Sequence, residues 1–332
     1  MMILGNMVQM EMIAVIGAGM MGPGIAQVFA TAGHPVLLHN RTAEKLAGVR
    51  QRVQANLLRM ADFGLVDAAA VPAILDRLRT STSLNEACDG ASVVIETITE
   101  DLAMKQELFA ELDRLCPAET LLCSNTSVMR ITQIGAKAKR PERILGTHFY
   151  QPPFLVPLVE VVRSEATAPE YVDAIFGLLQ NAGKVPVRVN KDIPGFIANR
   201  MQHALWREAF ALIDEGVCDP ATIDIAVRNS FGLRLPVLGP VANADLVGLD
   251  LTLAIHSYVL PHLSVTSTPS STLRARVEEG RLGFKRKSGF QDWTDEGMSL
   301  VRDGLMTYLL ETLSKQRSTK TDSKDPAFGG RP

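Results

Sequence analysis

The sequence predicts an α/β protein with two domains: an N-terminal doubly wound sheet and a smaller all-α C-terminal domain. Over the first 190 residues, short apolar runs alternate with helical periodicity, as in a parallel sheet covered by helices. A glycine-rich turn follows the first apolar run. Beyond that region only helical periodicity is found. The 332 residues are enough for two domains, each with its own core.

Strands are predicted where short, continuous apolar runs end in glycine or polar residues, the pattern of strands buried on both faces. A helix is predicted from Ile25 to Ala32, ending at Gly33. A long helical stretch is predicted from Thr42 to about Leu78. The predicted strands cover residues 12–16, 36–38, 93–95, 120–123 and 144–147.

The pattern changes after Val189, where Asp192 is predicted to cap a helix whose first turn holds Pro194. Helical periodicity then continues from Phe196 to about Leu263. We therefore divide the chain into four segments. They are a leader at 1–11, a Rossmann-like dinucleotide-binding domain at 12–190, an all-helical domain at 191–313 and a polar, disordered tail at 314–332.

The composition excludes several classes of partner. The formal net charge is −2, so the chain has no basic field to hold nucleic acid or an anionic membrane. No apolar run is long enough to span a bilayer, and the N-terminus lacks the features of a signal peptide. The four cysteines form no C-x-x-C pair, which predicts reduced thiols and no metal site. We expect a cytoplasmic protein that binds a small molecule.

The glycine-rich turn has the G-x-G-x-x-G pattern of a dinucleotide site, after a strand and at the start of a helix. Gly17 allows the tight turn, Gly19 lets a pyrophosphate approach the backbone, and Gly22 allows close packing of helix and strand. The N-terminus of the helix that follows the turn faces the negative charge of the pyrophosphate. The residues expected to bind the nucleotide here are Gly17, Gly19, Met20, Met21 and Gly22.

The end of the second strand decides between NAD and NADP. An acidic residue there would bind the ribose 2′-hydroxyl, whereas a nearby arginine favours a 2′-phosphate. This chain has Asn40 at the acidic position, followed by Arg41. A carboxylate that would repel a phosphate is missing, and a guanidinium that can pair with one is present. The pattern favours NADP over NAD; the alternative is that Arg41 is a solvated surface residue and that Asn40 binds the hydroxyl of NAD.

A histidine and a glutamate are spaced for a catalytic pair. His148 ends one predicted strand and Glu160 lies on the next, with a proline-containing turn centred on Phe154 between them. If the two strands pair antiparallel about that turn, residues 148 and 160 stand opposite each other. A carboxylate facing an imidazole fixes its tautomer and raises its basicity, as a general base for alcohol oxidation requires. The alternative is a structural histidine beside an edge-strand glutamate.

These motifs resemble the 3-hydroxyacyl-CoA dehydrogenase family over about residues 12 to 290. The resemblance implies a NAD(P)-dependent oxidoreductase of fatty acid metabolism that interconverts a 3-hydroxyacyl-CoA and a 3-oxoacyl-CoA. It also implies a homodimer formed through the helical domain. The matching segments, in the family's order, are residues 17–26, Glu100 with Lys105, residues 124–127, the His148 segment, Glu160 and residues 195–200.

The resemblance implies a role for each matching residue. His148 is the acid/base and Glu160 orients it. Ser127 and Asn199 bind the substrate oxygen. The positions expected to contact the cofactor are Glu100, Lys105, Ser127, Gln151 and Lys287.

The chain departs from the family where the CoA ligands fall, at Asn56 and Phe63, which are neither the usual serine nor the usual lysine. The segment 151–160 is similar to a side branch that acts on free hydroxy acids or alcohols. That branch includes L-gulonate 3-dehydrogenase (lambda-crystallin), carnitine 3-dehydrogenase and a dehydrogenase of a pyridine hydroxymethyl or formyl acid. Arg234, in a loop between helical segments, can pair with the carboxylate of such a substrate.

Three functions therefore remain open at this point. The first, which we favour at this point because it is the commoner function in the family, is an acyl-CoA dehydrogenase of the 3-hydroxy group. The second is a dehydrogenase of a free hydroxy acid or alcohol. The third is a non-enzymatic, crystallin-like protein that keeps the nucleotide fold. The complete set of Ser127, His148, Glu160 and Asn199 argues against the third, because a structural role does not need all four.

Overall fold

The computed structural model describes residues 11–322, which form two compact units. The first unit runs through Asn199 and resumes at Gly304, and the second comprises Arg200–Asp303. The predicted leader, apart from Glu11, and the last ten residues of the predicted tail lie outside the described residues.

An eight-stranded sheet forms the centre of the first unit, with the strand order β3-β2-β1-β4-β5-β6-β7-β8. The first six strands are parallel, β7 is antiparallel to β6, and β8 is parallel to β7. The order reverses between β1 and β4, which is where doubly wound sheets bind their ligands. The strands are β1 (Ile13–Ile16), β2 (Val36–His39), β3 (Leu78–Ser81), β4 (Val93–Glu96), β5 (Leu121–Ser124), β6 (Ile144–Phe149), β7 (Leu158–Arg163) and β8 (Val185–Val189).

Helices cover both faces of this sheet, as the sequence predicts. Alternate residues of β1 point to opposite faces: Ile13 and Val15 join one buried cluster, and Ala14 and Ile16 join the other. The helices of this unit are α1 (Gly22–Thr31), α2 (Ala43–Leu46), α3 (Val49–Asp62), α4 (Val71–Asp76), α5 (Leu84–Cys88), α6 (Leu102–Leu115), α7 (Ile131–Ile134) and α8 (Pro169–Asn181).

The stretch predicted as helical from Thr42 to Leu78 is more broken than its periodicity suggests. It contains α2, α3 and α4, joined by a 3₁₀ turn at Ala68–Ala70, and it ends in strand β3. Strand β3 was not predicted, because its residues Leu78–Ser81 alternate weakly, with only Leu78 buried. Tertiary pairing with β2 makes this segment a strand.

Asp192 caps a helix, but a different one from the helix predicted. Its carboxylate accepts hydrogen bonds from the backbone N–H groups of Ile131 (2.9 Å) and Thr132 (2.7 Å), at the start of α7. The helix expected after Pro194 begins only at Ala198. The boundary of the first unit therefore lies at Asn199 and not near residue 190, because residues 191–198 bond to the sheet domain.

The second unit is helical throughout, with two isolated β-bridges near Ser288 as its only extended pairing. Asp219 caps α10 through the N–H of Thr222 (2.7 Å). No helix among residues 11–322 combines the length and the apolarity needed to cross a bilayer. The remaining helices are α9 (Ala198–Asp214), α10 (Pro220–Arg228), α11 (Phe231–Arg234), α12 (Pro240–Val247), α13 (Leu249–Val259), α14 (Ser271–Glu278) and α15 (Asp295–Asp322).

The predicted disordered tail was wrong for residues 314–322, which continue helix α15. From Gly304 onward this helix belongs to the first unit. Leu310 is buried with Met60 of α3 and Leu155, and the guanidinium of Arg317 donates to the carbonyl oxygen of Leu65 (2.7 Å). Composition alone suggested disorder, but apolar packing upstream holds this polar helix end in place.

Candidate active site

The glycine-rich turn follows β1 at the point where the strand order reverses. Gly17 has a φ of +117°, and a Cβ there would lie 2.7 Å from Oγ1 of Thr97. A Cβ on Gly22 would lie 1.8 Å from the carbonyl oxygen of Gly17. Thr97 closes the turn by donating its hydroxyl to that same carbonyl oxygen (2.9 Å). Two of the three glycines are therefore required by the fold itself.

Gly19 differs from the other two, because a Cβ there would meet no atom within 4 Å. The backbone faces open space in front of the N-terminus of α1, which begins at Gly22. A helix N-terminus with an unobstructed backbone is suited to a pyrophosphate. Met20 is 78% exposed and Met21 is the N-cap of the helix. These residues fit the phosphates of a dinucleotide.

Asn40, at the end of β2, is tied to this turn. Its side-chain oxygen accepts the backbone N–H of Ala18 (3.3 Å), and its amide donates to the hydroxyl of Thr42 (2.9 Å). Arg41 beside it is exposed. The carboxyl end of β2 is therefore followed by an amide and a guanidinium, and β2 itself carries no carboxylate.

Glu160 of β7 is the centre of the second half of the site. The side chain is fully buried, and its Oε2 accepts hydrogen bonds from His148 (2.8 Å) and from the hydroxyl of Tyr150 (2.9 Å). Its Oε1 accepts the backbone N–H groups of Ile197 and Ala198, both at 2.9 Å. Burial raises the pKa of the Glu160 carboxyl, but these four hydrogen bonds outweigh burial and hold that pKa below its ordinary value.

His148 stands opposite Glu160 in the antiparallel register, as the sequence predicts. Because the ionised carboxylate can only accept, the Nδ1 atom of His148 must carry the proton in their hydrogen bond. The neutral imidazole then has its lone pair on Nε2. His148 is 3% exposed and its ring lies 4.3 Å from the ring of Tyr150 between centroids. This geometry fixes the tautomer that a general base needs.

The backbone before α9 is unusual where it contacts this pair. Gly195 and Phe196 both have positive φ, at +75° and +50°. For a phenylalanine this conformation is strained and needs support from its surroundings. Phe196 is fully buried, with its ring 5.8 Å from that of His148. The turn directs the N–H groups of Ile197 and Ala198 onto Glu160.

Ser127 and Asn199 are brought together at the same edge of the sheet. The side-chain amide of Asn199 donates to the carbonyl oxygen of Ser127 (3.0 Å). Glu100 holds the Ser127 turn, since its carboxylate accepts the N–H of Ser127 (3.1 Å) and the hydroxyl of Thr126. Asn199 directly follows Ala198, which bonds to Glu160. One network therefore connects the acid/base pair with the two residues expected at the substrate oxygen.

Lys105 has a structural environment that the sequence did not reveal. It is 1% exposed, and its ammonium lies 2.6 Å from the carboxylate of Glu96 and 3.3 Å from that of Glu100. Burial raises the pKa of Glu96, and the bonds from Lys105 and Ser124 oppose this. Lys105 therefore contacts Glu100, the residue that holds the Ser127 turn. One feature of the sequence could have identified Glu96: it is a carboxylate that ends an apolar strand, at the carboxyl edge of the sheet.

Within residues 11–322, no hydrogen bond joins the other predicted residues to this network. Gln151 is exposed directly after Tyr150. Arg234 and Lys287 belong to the second unit: Arg234 is exposed at the end of α11, and the ammonium of Lys287 lies 2.6 Å from the carboxylate of Asp295. Among residues 11–322, no group of histidine, cysteine and acidic side chains is arranged to hold a metal ion.

The fold and the site together define a dinucleotide-dependent oxidoreductase. Residues 12–193 match the family model of the 3-hydroxyacyl-CoA dehydrogenase NAD binding domain, and residues 195–293 match that of the C-terminal domain. The chain belongs to the 3-hydroxyacyl-CoA dehydrogenase family, whose members act on CH–OH groups with NAD.

Relatives in this family act on two kinds of substrate. A probable 3-hydroxybutyryl-CoA dehydrogenase of Bacillus subtilis is 38% identical over 87% of this chain and 99% of its own. The solved structure of 5-formyl-3-hydroxy-2-methylpyridine 4-carboxylic acid 5-dehydrogenase, an NAD⁺-dependent dismutase, matches with a TM-score of 0.85 at 30% identity, covering 92% of this chain and 97% of that one. The (S)-3-hydroxybutyryl-CoA dehydrogenase of Ralstonia eutropha matches with a TM-score of 0.72 at 30% identity, covering 86% of this chain and 100% of that one.

Replacement of Gly19 by Ala should weaken dinucleotide binding without unfolding the protein. The added methyl group would enter open space in the free protein and would obstruct the pyrophosphate. We expect the dissociation constant for the dinucleotide, measured by calorimetry, to rise about tenfold or more, which corresponds to about 1.4 kcal/mol. Gly177→Ala, on α8 with equally open surroundings, is the control and should bind normally. Equal binding by both variants would contradict this placement.

Proposed function

We propose that this protein transfers hydride between a nicotinamide cofactor and the CH–OH group of a small free hydroxy acid or alcohol, with His148 as the acid/base. The observation that carries the proposal is the fully buried Glu160 carboxylate, which holds the Nδ1–H of His148 on one oxygen and the start of α9 on the other. A structural histidine would not need its tautomer fixed by such an arrangement.

In the oxidation direction, Nε2 of His148 accepts the hydroxyl proton of the substrate while the carbon loses its hydride. When bound, the nicotinamide ring supplies the hydride acceptor. Glu160 stabilises the imidazolium that forms, and Ser127 and Asn199 orient the substrate oxygen. The carbinol carbon becomes a carbonyl, and the imidazolium releases its proton to solvent. In the reduction direction, protonated His148 supplies the proton to the oxygen.

The packing of α15 supports a substrate without CoA. By resemblance, a CoA moiety would be held at positions 56 and 63. In this chain the amide of Asn56 donates to the side-chain oxygen of Gln27 (3.1 Å). Phe63 packs in the cluster around Leu310, and Arg317 bonds to the backbone carbonyls that follow α3. Helix α15 thus covers a surface that a CoA moiety would need.

The comparisons contain support for both substrate classes. The dehydrogenase of the pyridine carboxylic acid, which has a free acid as its substrate by name, matches more of this chain than the Ralstonia hydroxybutyryl-CoA enzyme does, with the higher TM-score. The sequence identity to the Bacillus hydroxybutyryl-CoA enzyme favours the acyl-CoA alternative. Arg234 remains our candidate for pairing with a substrate carboxylate.

The proposal extends to the cofactor, for which we expect NADPH to be preferred over NADH. The family's model names NAD. The side chain at the end of β2 is an amide bonded to the glycine-rich turn, and the exposed guanidinium of Arg41 follows it. Without a carboxylate at this position, a 2′-phosphate meets no repulsion from β2.

We also propose a homodimer formed through the second unit. Among residues 200–303, Met298 is the single large apolar side chain that is buried. Helices α12 and α13 expose several apolar side chains instead. They include Val241, Leu246, Leu249, Leu251 and Leu253, each more than half exposed. An apolar surface of this kind is typical of an interface with a second copy.

The purified protein should oxidise or reduce at least one free hydroxy acid or alcohol and should leave acetoacetyl-CoA unchanged. Nicotinamide absorbance with L-carnitine, L-gulonate, 3-hydroxybutyrate and a pyridine hydroxymethyl acid, against acetoacetyl-CoA, measures this. His148→Gln should lower kcat by about 10²- to 10⁴-fold, because the proton acceptor is lost.

Turnover of acetoacetyl-CoA would contradict the substrate class and keep the dehydrogenase mechanism. Undiminished turnover by His148→Gln would contradict the acid/base assignment. A protein that neither binds a nicotinamide dinucleotide nor turns over any of these compounds would contradict the proposed function as a whole.

Asn40→Asp should shift the cofactor preference toward NADH by about tenfold. The new carboxylate would repel a 2′-phosphate and can still bond the ribose hydroxyl. Arg41→Ala should lower kcat/KM for NADPH and leave that for NADH unchanged. The control is Arg52→Ala, which changes an exposed arginine on α3. The kcat/KM ratio for the two cofactors measures each effect. An unchanged ratio in both Asn40→Asp and Arg41→Ala would refute the assignment of these residues.

In sedimentation velocity, the protein should have twice the mass of one chain. Replacement of both Leu251 and Leu253 by Asp should shift the population toward the monomer, because two charges would be buried in an apolar interface. Leu58→Asp, on an exposed position of α3, should leave the mass unchanged. A wild-type protein that sediments as a monomer at micromolar concentration would rule the dimer out.

A further inference from the structure

The hydroxyl of Tyr150 has no role in the mechanism so far, yet it bonds to the same carboxylate oxygen as the catalytic imidazole. Oε2 of Glu160 accepts from Nδ1 of His148 at 2.8 Å and from the Tyr150 hydroxyl at 2.9 Å. The Tyr150 ring also packs against the imidazole, with 4.3 Å between the ring centroids and 50° between the ring planes. Tyr150 therefore contacts both members of the pair.

The hydroxyl remains a donor throughout the working pH range. Burial raises the pKa of Tyr150, and its hydrogen bond to Glu160 and the charge of that carboxylate raise it further. The carboxylate in turn has its pKa held below the ordinary value, in part by this hydroxyl. Tyr150 donates to an ionised carboxylate, which is a strong type of hydrogen bond.

Because Oε2 of Glu160 accepts two hydrogen bonds, the bond from Tyr150 weakens the one from His148. The Tyr150 hydroxyl draws electron density from Oε2, so that this atom attracts the proton on Nδ1 of His148 less strongly. The protonated imidazole gains less from Glu160 than it would from a carboxylate with a free lone pair.

We propose that Tyr150 is a positioning residue that sets the pH at which His148 changes from acid to base, by sharing Oε2 of Glu160 with the imidazole. This inference rests on the acid/base role of His148 in the proposed function. The hydroxyl affects the titration of His148, and the ring packs against the imidazole. Tyr150→Phe separates the two contributions, because it removes the hydroxyl and keeps the ring.

The groups around His148 define what else acts on it. From β7, Glu160 is the titratable group in contact with the imidazole, and Tyr150 is the one contributed by the chain after β6. The segment before α9 contributes the apolar ring of Phe196 and two backbone N–H groups bonded to the other oxygen of Glu160. Apart from its hydrogen bond to Glu160, the Tyr150 hydroxyl takes part in none of these contacts.

The test is the titration of His148 in Tyr150→Phe and in the wild-type protein. We expect the midpoint of the imidazole titration to move upward by about 0.5 to 1 pH unit, because Oε2 regains its full attraction for the Nδ1 proton. Selective ¹³C labelling of the six histidines gives the signals, and the signal lost in His148→Gln identifies the one that matters. This measurement needs no substrate.

The same shift should appear in activity. The rising limb of the kcat/KM profile for oxidation should move to higher pH in Tyr150→Phe by the same amount. Tyr171→Phe, on α8 in the same unit, is the matched control and should move neither the titration nor the profile. Thermal unfolding of Tyr150→Phe verifies that the variant is folded.

Two results would overturn the inference: a His148 titration in Tyr150→Phe that matches the wild type, or one that moves to lower pH. If the proposed function fails while the inference holds, the titration still shifts although no substrate is turned over. A kinetic profile that stays in place while the titration shifts would remove His148 from the rate-determining proton transfer and leave the tuning itself intact.

Discussion

The carboxylate of Glu160 holds together three parts of the chain: the end of β6, the middle of β7 and the residues that lead into α9. It is fully buried, and a buried carboxylate without partners destabilises a fold by several kcal/mol. Its four donors make this charge tolerable. The same hydrogen bonds fix the tautomer of His148 and the position of Asn199. Both the stability of the fold and the geometry of the site therefore depend on the Glu160 carboxylate.

This constraint extends into the sheet through the register of β6 and β7. A slip by one residue would turn Glu160 away from His148 and place a buried valine in its position. Gly146, two residues before His148, helps to prevent such a slip: a Cβ there would lie 2.8 Å from Ile131 of α7 and 3.0 Å from Val162. Because Asp192 caps α7, the segment leading to α9 also fixes the helix that packs on this strand pair.

The parts predicted from sequence are those with a strong local signal. The glycine-rich turn and the His148–Glu160 register follow from spacing, and five of the eight strands follow from continuous apolar runs. Strand β3 carries no such run and depends on pairing with β2. Asp192 looked like a local cap because sequence shows its neighbours, and its actual partners lie 60 residues away. Glu96 and Tyr150 were missed for the same reason: their partners are tertiary.

Under the proposed function, helix α15 affects which substrate is accepted, whereas the chemistry depends on the acid/base pair. The acid/base network is built on the sheet edge and on the first turn of α9, and none of its hydrogen bonds involves α3 or α15. Met60, Leu155 and Leu310 form a buried cluster of their own. Under the proposed function, α15 can therefore exclude a large carrier from α3 without disturbing Glu160. Under the same proposal, a substrate without a carrier is held by fewer contacts, so less binding energy is available from parts of the substrate remote from the reacting carbon.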